Sequence, residues 1–228
     1  MKCVLIGGGE VGRGRSSYET KEIDEEIVKM TEKENPTFLF IGLASSFSDS
    51  YYDTMKKIYK DLGCTPVYLK KKNIINNPDI VKDKILNADI IYICGGDTVK
   101  LINDIKDYKI DKLLKEALNK GTVLAGMSAG AILLSNKGFS DSLILREESD
   151  KHSFINGLGF VDLDICPHYH SNPKKDEELK DSIKDSEKVY GLEDCTALKI
   201  IDKKISVIKS SEDKKVYLVS KEKEKELK

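Results

Sequence analysis

The sequence predicts an α/β fold: a mostly parallel central sheet with helices on both faces and a short antiparallel extension toward the C-terminus. Three observations lead there. Apolar runs without polar alternation recur through the first half of the chain, as in strands buried on both faces. Charged stretches with helical periodicity separate them, the alternation that builds a parallel sheet. Beyond residue 195 the apolar runs are short and split by charged triplets and quartets, the pattern of strands joined by turns.

The elements follow in order. Residues 2–6 read as a buried strand that stops at Gly7-Gly8-Gly9. Residues 21–34 carry Ile23, Ile27 and Met30 at i, i+4 and i+7, a helical face. Residues 37–41 form a second strand through an unbroken Phe-Leu-Phe-Ile run. Residues 49–62 are helical and Gly63 stops them. A short strand at 66–69 and a short helix at 78–87 come next, then a strand at 89–94 ended by Gly95-Gly96. Helices are expected at 98–105 and 111–119, a strand at 121–125, and a helix from Ala129 onward. In the second half, Ile165 and residues 189–192 read as strands, followed by 198–201, 205–208 and 216–219. Residues 221–228 read as a solvated, charged tail, and residues 1–228 as one domain. Right-handed crossovers place the C-terminal ends of parallel strands along one rim, where open α/β sheets bind ligands. The Gly-rich turns after Ile6, Cys94 and Ala125 therefore fall together.

Composition narrows the chemistry. Among 228 residues, 38 Lys and Arg offset 39 Asp and Glu, without the basic excess of a nucleic-acid binder. No run approaches the ~18 apolar residues of a membrane helix. Five cysteines lack any CxxC pairing, consistent with reduced, structural thiols. The expectation is a cytoplasmic protein, monomer or homodimer, that acts on a small molecule, with no nucleic-acid, membrane, metal or cofactor partner.

Gly126-Met127-Ser128-Ala129-Gly130 matches G-x-S-x-G, a sharp strand-to-helix turn that exposes a serine hydroxyl at the rim. A helix-capping serine in a Gly-rich turn shares the pattern. The apolar strand before it and the Ala131-Ile132-Leu133-Leu134 run after it favour the nucleophile. A serine hydroxyl needs a base, and the chain has three histidines. His152 sits in a charged loop and reads as surface. His168 and His170 follow a short strand and are the candidates; as an H-x-H pair they also admit a metal reading. The imidazole needs an orienting acid, and Glu193, Asp194 and Asp141 are available.

The ordered set Ile6-Gly7-Gly8-Gly9-Glu10, Gly95-Gly96-Asp97-Thr98, Gly126 to Ala131 and Cys166-Pro167-His168 resembles the dipeptidase E and cyanophycinase family of serine peptidases over about residues 1–200. That family is similar in fold to class I glutamine amidotransferases, with serine in place of their cysteine nucleophile. The resemblance implies Ser128 as nucleophile, His168 as base, and the backbone of Gly96 and Ala129 as oxyanion hole. It implies Asp194 or its neighbour Glu193 as the acid, with Asp141 as another mapping. It places Gly9, Asp97, Thr98 and His170 around the substrate. The substrate it implies is a small peptide, N-terminal aspartyl dipeptides among them. A cation near the pocket would suit such a substrate, and Arg13, Arg15 and Arg146 are candidates. Asp97, where the family commonly has asparagine, and Cys166 depart from the family pattern and bear on substrate preference.

Two rival functions stay open. Gly7-Gly8-Gly9-Glu10-Val11-Gly12 also fits a dinucleotide-binding G-x-G-x-x-G, although residues 13–18 read as a loop where that motif needs a helix. A non-catalytic binding protein that keeps the fold is the other.

Overall fold

The computed structural model describes residues 1–46, 48–69, 71–185 and 187–228. In strand β1 (Lys2–Ile6) the four residues after Lys2 are fully buried, so both faces are covered. The same holds for Phe38 to Ile41 in β2 (Thr37–Ile41) and for all of β4 (Ile90–Ile93). With β3 (Thr65–Tyr68) and β5 (Val123–Met127) these strands pair in parallel. Between them run α1 (Lys21–Lys29), α2 (Ser48–Asp61), α3 (Lys71–Asn76), α4 (Pro78–Leu86), α5 (Thr98–Asp107) and α6 (Ile110–Asn119); α7 (Ala129–Leu134) follows β5. The expected helix over 21–34 ends earlier, at Lys29. The chain turns there, with Glu32 at φ 59°, to reach β2. Helix α3 was not foreseen, because Ile75 is 55% exposed and no apolar face marks it.

The second half departs further from expectation. It supplies β6 (Lys137–Ser140), α8 (Ser142–Leu145), β7 (Ser153–Asn156), β8 (Asp164–Pro167), α9 (Pro173–Ser182), β9 (Val189–Leu192), β10 (Thr196–Ile201), β11 (Lys204–Lys209), β12 (Val216–Val219) and β13 (Glu224–Leu227). These segments do not form one antiparallel extension. Only β10 and β11 extend the main sheet, giving the order β11-β10-β1-β5-β4-β2-β3. The others build a second, six-stranded sheet ordered β13-β12-β9-β8-β6-β7. The stretch expected as a solvated tail contains β13, which pairs antiparallel with β12 from Val216↔Leu227 to Val219↔Glu224. Its alternating Lys and Glu suit an edge strand, where charge discourages further pairing.

One apolar cluster joins the two sheets: Ile165, Leu192 and Val216 of the second pack with the core of the first. Inside the first sheet's helical layer lies one carboxylate, Asp24 of α1, fully buried. The hydroxyls of Thr20, Tyr59 and Tyr18 donate to it at 2.8, 2.8 and 3.0 Å. Burial still pushes its pKa up to about 6. Among the described residues no helix is long and apolar enough to cross a membrane.

Candidate active site

Strand β5 passes into α7 through Ser128, whose backbone sits at φ 52°, ψ −110°. That left-handed conformation costs a non-glycine residue about 1–3 kcal/mol. The two flanking glycines make the bend passable. A Cβ on Gly126 would lie 2.3 Å from the Gly130 backbone, and one on Gly130 would lie 2.2 Å from the carbonyl oxygen of Ile93. The Ser128 N–H donates to the Ile6 carbonyl at 2.9 Å, and its own carbonyl accepts from Ile132. The side chain thus stands at the C-terminal rim of the main sheet.

His168 comes from the other sheet, at the turn after β8, with φ 53°. Asp194 lies where the chain leaves β9 and enters β10, that is, where it crosses back. The three meet. His168 Nε2 is 2.9 Å from Ser128 Oγ, and Nδ1 is 2.6 Å from Asp194 Oδ1. Burial works against the Asp194 charge, but the His168 hydrogen bond and charge, with Lys214 and Lys175 behind, hold its carboxyl below the usual range. The His168 and Asp194 side chains are each 39% exposed, so solvent and ligand reach them.

The other candidate acids point elsewhere. Glu193 accepts the Lys215 N–H at 2.8 Å. Asp141 is exposed at the start of α8, where its carbonyl accepts from Leu145. Gly8 lies directly beneath the His168–Asp194 pair: a Cβ there would meet Asp194 Oδ1 at 2.0 Å and His168 Cε1 at 2.3 Å.

A pocket of about 330 Å³ opens over Ser128, His168 and Asp194 and includes Gly9, Gly95 and Gly96. Gly96 has φ +140°, and a Cβ there would strike the Ala44 carbonyl at 2.3 Å. Ala129 opens α7, where a helix leaves its first N–H groups without internal partners. Side chains to which the sequence assigned no role also line the pocket, among them Glu10, Glu19, Ser45 and Tyr51. Glu19 accepts the Glu10 N–H at 3.0 Å and the Ser17 hydroxyl at 2.9 Å, which lower its pKa. Arg13 is the one candidate cation in the pocket. Its guanidinium sits 4.4 Å over the Tyr51 ring, and among the described residues no carboxylate pairs with it. Arg15 is exposed outside the pocket. Arg146 is committed to Asp97 at 3.3 Å and Glu148 at 2.8 Å.

Three residues expected around the substrate are occupied elsewhere. Asp97 caps α5 by accepting the Lys100 N–H at 3.0 Å, and also accepts the Ser142 hydroxyl at 2.5 Å. The Thr98 hydroxyl is 3.0 Å from that of Ser140. His170 lies between Asp176, at 2.9 Å, and Glu224, at 3.4 Å. His168 and His170 therefore do not converge as a metal pair; both sit in a turn, not on a strand. Among the described residues no cluster of three or more His, Cys, Asp or Glu is arranged to hold a metal. His152, read as surface, is half-buried and bonded to Glu178 at 2.6 Å.

The sequence profile of peptidase family S51 matches residues 3–208. The chain belongs to peptidase family S51. An uncharacterized peptidase, YgaJ of Bacillus subtilis strain 168, is 30% identical over 171 residues, 74% of this chain and 69% of the relative. Peptidase E of Nostoc sp. strain PCC 7120 is 24% identical over 94% of this chain and 87% of its own. A peptidase crystal structure from an acI-B1 Actinobacterium shares the fold, with TM-score 0.76 and 21% identity over 99% of this chain and 93% of the other. In this family member the Gly-rich opening serves the rim itself. Gly7 to Gly9 lead into a loop closed by a Val11↔Tyr18 bridge, and α1 starts only at Lys21. Gly8 was legible in the triple-glycine run; Glu10 and Glu19 carried no signal beyond being acids near it.

Proposed function

We propose that this peptidase is a serine hydrolase that cleaves small peptides, N-terminal aspartyl dipeptides among them, through an acyl-enzyme. The observation that carries the reading is the hydrogen-bonded series Ser128–His168–Asp194, at 2.9 and 2.6 Å, within a solvent-open pocket. Asp194 accepts a hydrogen bond from the Nδ1–H of His168 and thereby leaves Nε2 as the acceptor. His168 takes the Ser128 proton as Oγ attacks the scissile carbonyl. The N–H groups of Gly96 and Ala129 hold the developing oxyanion, aided by the positive end of α7. His168 then gives its proton to the departing amine, and water releases the acyl group by the same route in reverse.

Arg13 supports the acidic preference. Its guanidinium is fixed by stacking on Tyr51 and keeps its donors for a carboxylate, which a guanidinium binds through paired hydrogen bonds. The relatives named peptidase E support a peptide substrate. Five buried free cysteines favour a reducing compartment, the cytoplasm.

The test is hydrolysis of a dipeptide panel with acidic, neutral and basic first residues, by wild type, Ser128→Ala and Arg13→Met. Ser128→Ala should lower kcat by about 10⁶-fold. Arg13→Met should weaken only the acidic substrates. A folded Ser128→Ala protein that cleaves at the wild-type rate removes the reading.

A further inference from the structure

The turn that carries His168 is conformationally costly. His168 and His170 both adopt positive φ, 53° and 60°, a region that non-glycine residues enter only when their surroundings hold them there. Inside the turn one side-chain bond helps, from the Ser171 hydroxyl to the His168 carbonyl at 2.6 Å. Tyr217 of β12 packs against the Tyr169 and His170 rings. Besides the bonds of the His168 ring to Ser128 and Asp194, the other side-chain hydrogen bonds to the turn come from α9 and β13.

Helix α9 supplies two. Lys175 is buried, 6% exposed, and donates to the Pro167 carbonyl at 2.6 Å; among the described residues no carboxylate pairs with it. A buried ammonium with one carbonyl partner is expensive, and here it fixes the peptide immediately before His168. Asp176 accepts the His170 N–H at 3.2 Å and bonds its Nδ1 at 2.9 Å. Strand β13 supplies the third. Glu224 accepts the Tyr169 hydroxyl at 2.6 Å and lies 3.4 Å from His170 Nε2, with Lys180 at 3.4 Å on its other side. Glu224 lies beyond residues 3–208, the span that matches the family profile.

We propose that α9 and β13 form a brace that keeps the His168 ring in line with Ser128, with Glu224, Asp176 and Lys175 as positioning residues; this rests on the serine-peptidase reading above. None of the three touches the reacting atoms. Each fixes a backbone or ring on one side of His168, so that Asp194 meets an imidazole already aimed at Ser128.

The test uses the full chain carrying Glu224→Gln, which keeps size and removes charge at a partly exposed site. Lys175→Met is the second variant, and Glu226→Gln, on the same strand but paired with Lys215, is the control. Steady-state hydrolysis of an acidic dipeptide is measured with the ¹⁵N–¹H spectrum of the His168 ring, assigned by difference with His168→Gln. Glu224→Gln should lower kcat by about tenfold with KM within about twofold of wild type. It should also shift or broaden the His168 ring signals, while Glu226→Gln leaves both unchanged. If Lys175→Met does not fold, Glu224→Gln decides alone. An unchanged kcat and unchanged ring signals overturn the brace, as does a lowered melting temperature with kcat intact. If wild type cleaves no peptide, the serine-peptidase reading fails, and the ring spectrum alone decides the brace.

Discussion

Replacing Gly8 by alanine adds one methyl group at the most crowded point under the site. That carbon would sit 2.0 Å from Asp194 Oδ1 and 2.3 and 2.4 Å from His168 Cε1 and Nδ1. Ordinary contact for carbon is about 3.5 Å, so each neighbour is too close by more than an ångström. Gly8 cannot retreat easily. Its carbonyl accepts the Cys195 N–H at 3.0 Å, and the Gly7 N–H beside it donates to Thr196 at 2.9 Å. The imidazole and carboxylate must therefore move, and a misplacement of about 1 Å in a reacting group costs roughly 10²-fold in rate. Overpacking of this kind also costs about 1–3 kcal/mol in stability. The assay is kcat/KM on the best dipeptide, with the rate of Ser128 labelling by a small fluorophosphonate and a thermal melt. Both rates should fall together in a protein that still melts cooperatively. A Gly8→Ala variant within about threefold of wild type in kcat/KM would refute the packing argument.

Two further predictions follow from buried polar groups. Asp24 has a folded pKa of about 6 against an ordinary 3.8. The folded state therefore keeps this proton after the unfolded state has released it, and stability falls as pH rises from about 4 to 6. The shift corresponds to about 3 kcal/mol; Asp24→Asn should flatten that part of the pH–stability curve in urea titrations. If the two curves run parallel, Asp24 is not the titrating group. Ser142→Ala removes a donor to the Asp97 carboxylate and strips the Val99 N–H of its acceptor at 3.1 Å. It should cost about 1–3 kcal/mol, read as a lower melting temperature.

What could be read from the sequence divides by how local the cause is. Ser128 was legible because its setting is local: an apolar strand, two glycines and a short helix, contiguous in the chain. The strands of the parallel sheet were legible because burial on both faces leaves Phe38 to Ile41 and Ile90 to Ile93 apolar but for the Tyr92 hydroxyl. The choice among Asp194, Glu193 and Asp141 was not. Glu193 and Asp194 are neighbours of like chemistry, and the side each faces is set by the crossing from β9 to β10 and by β12 arriving beside Glu193. Asp97, Thr98 and His170 were expected at the substrate from the family resemblance, but a motif does not fix where each side chain points, and these bond to Ser142, Ser140 and Asp176. The second sheet is not legible because each of its six strands is four residues long, and segments such as Lys-Gly-Phe-Ser show no period. The charged alternation of β13 reads as solvated until its partner strand is known.

The site straddles a seam. Ser128 ends a strand of the seven-stranded sheet, His168 follows a strand of the six-stranded one, and Asp194 lies on the connection between them. Neither sheet alone holds a complete set. If these three residues are the catalytic set, as proposed, a newly synthesised chain would stay silent until the two sheets have closed on each other, and a partly unfolded molecule would fall silent as soon as they part. Turnover would then report docking of the sheets directly, and on gentle denaturation it should vanish no later than the loss of helical signal.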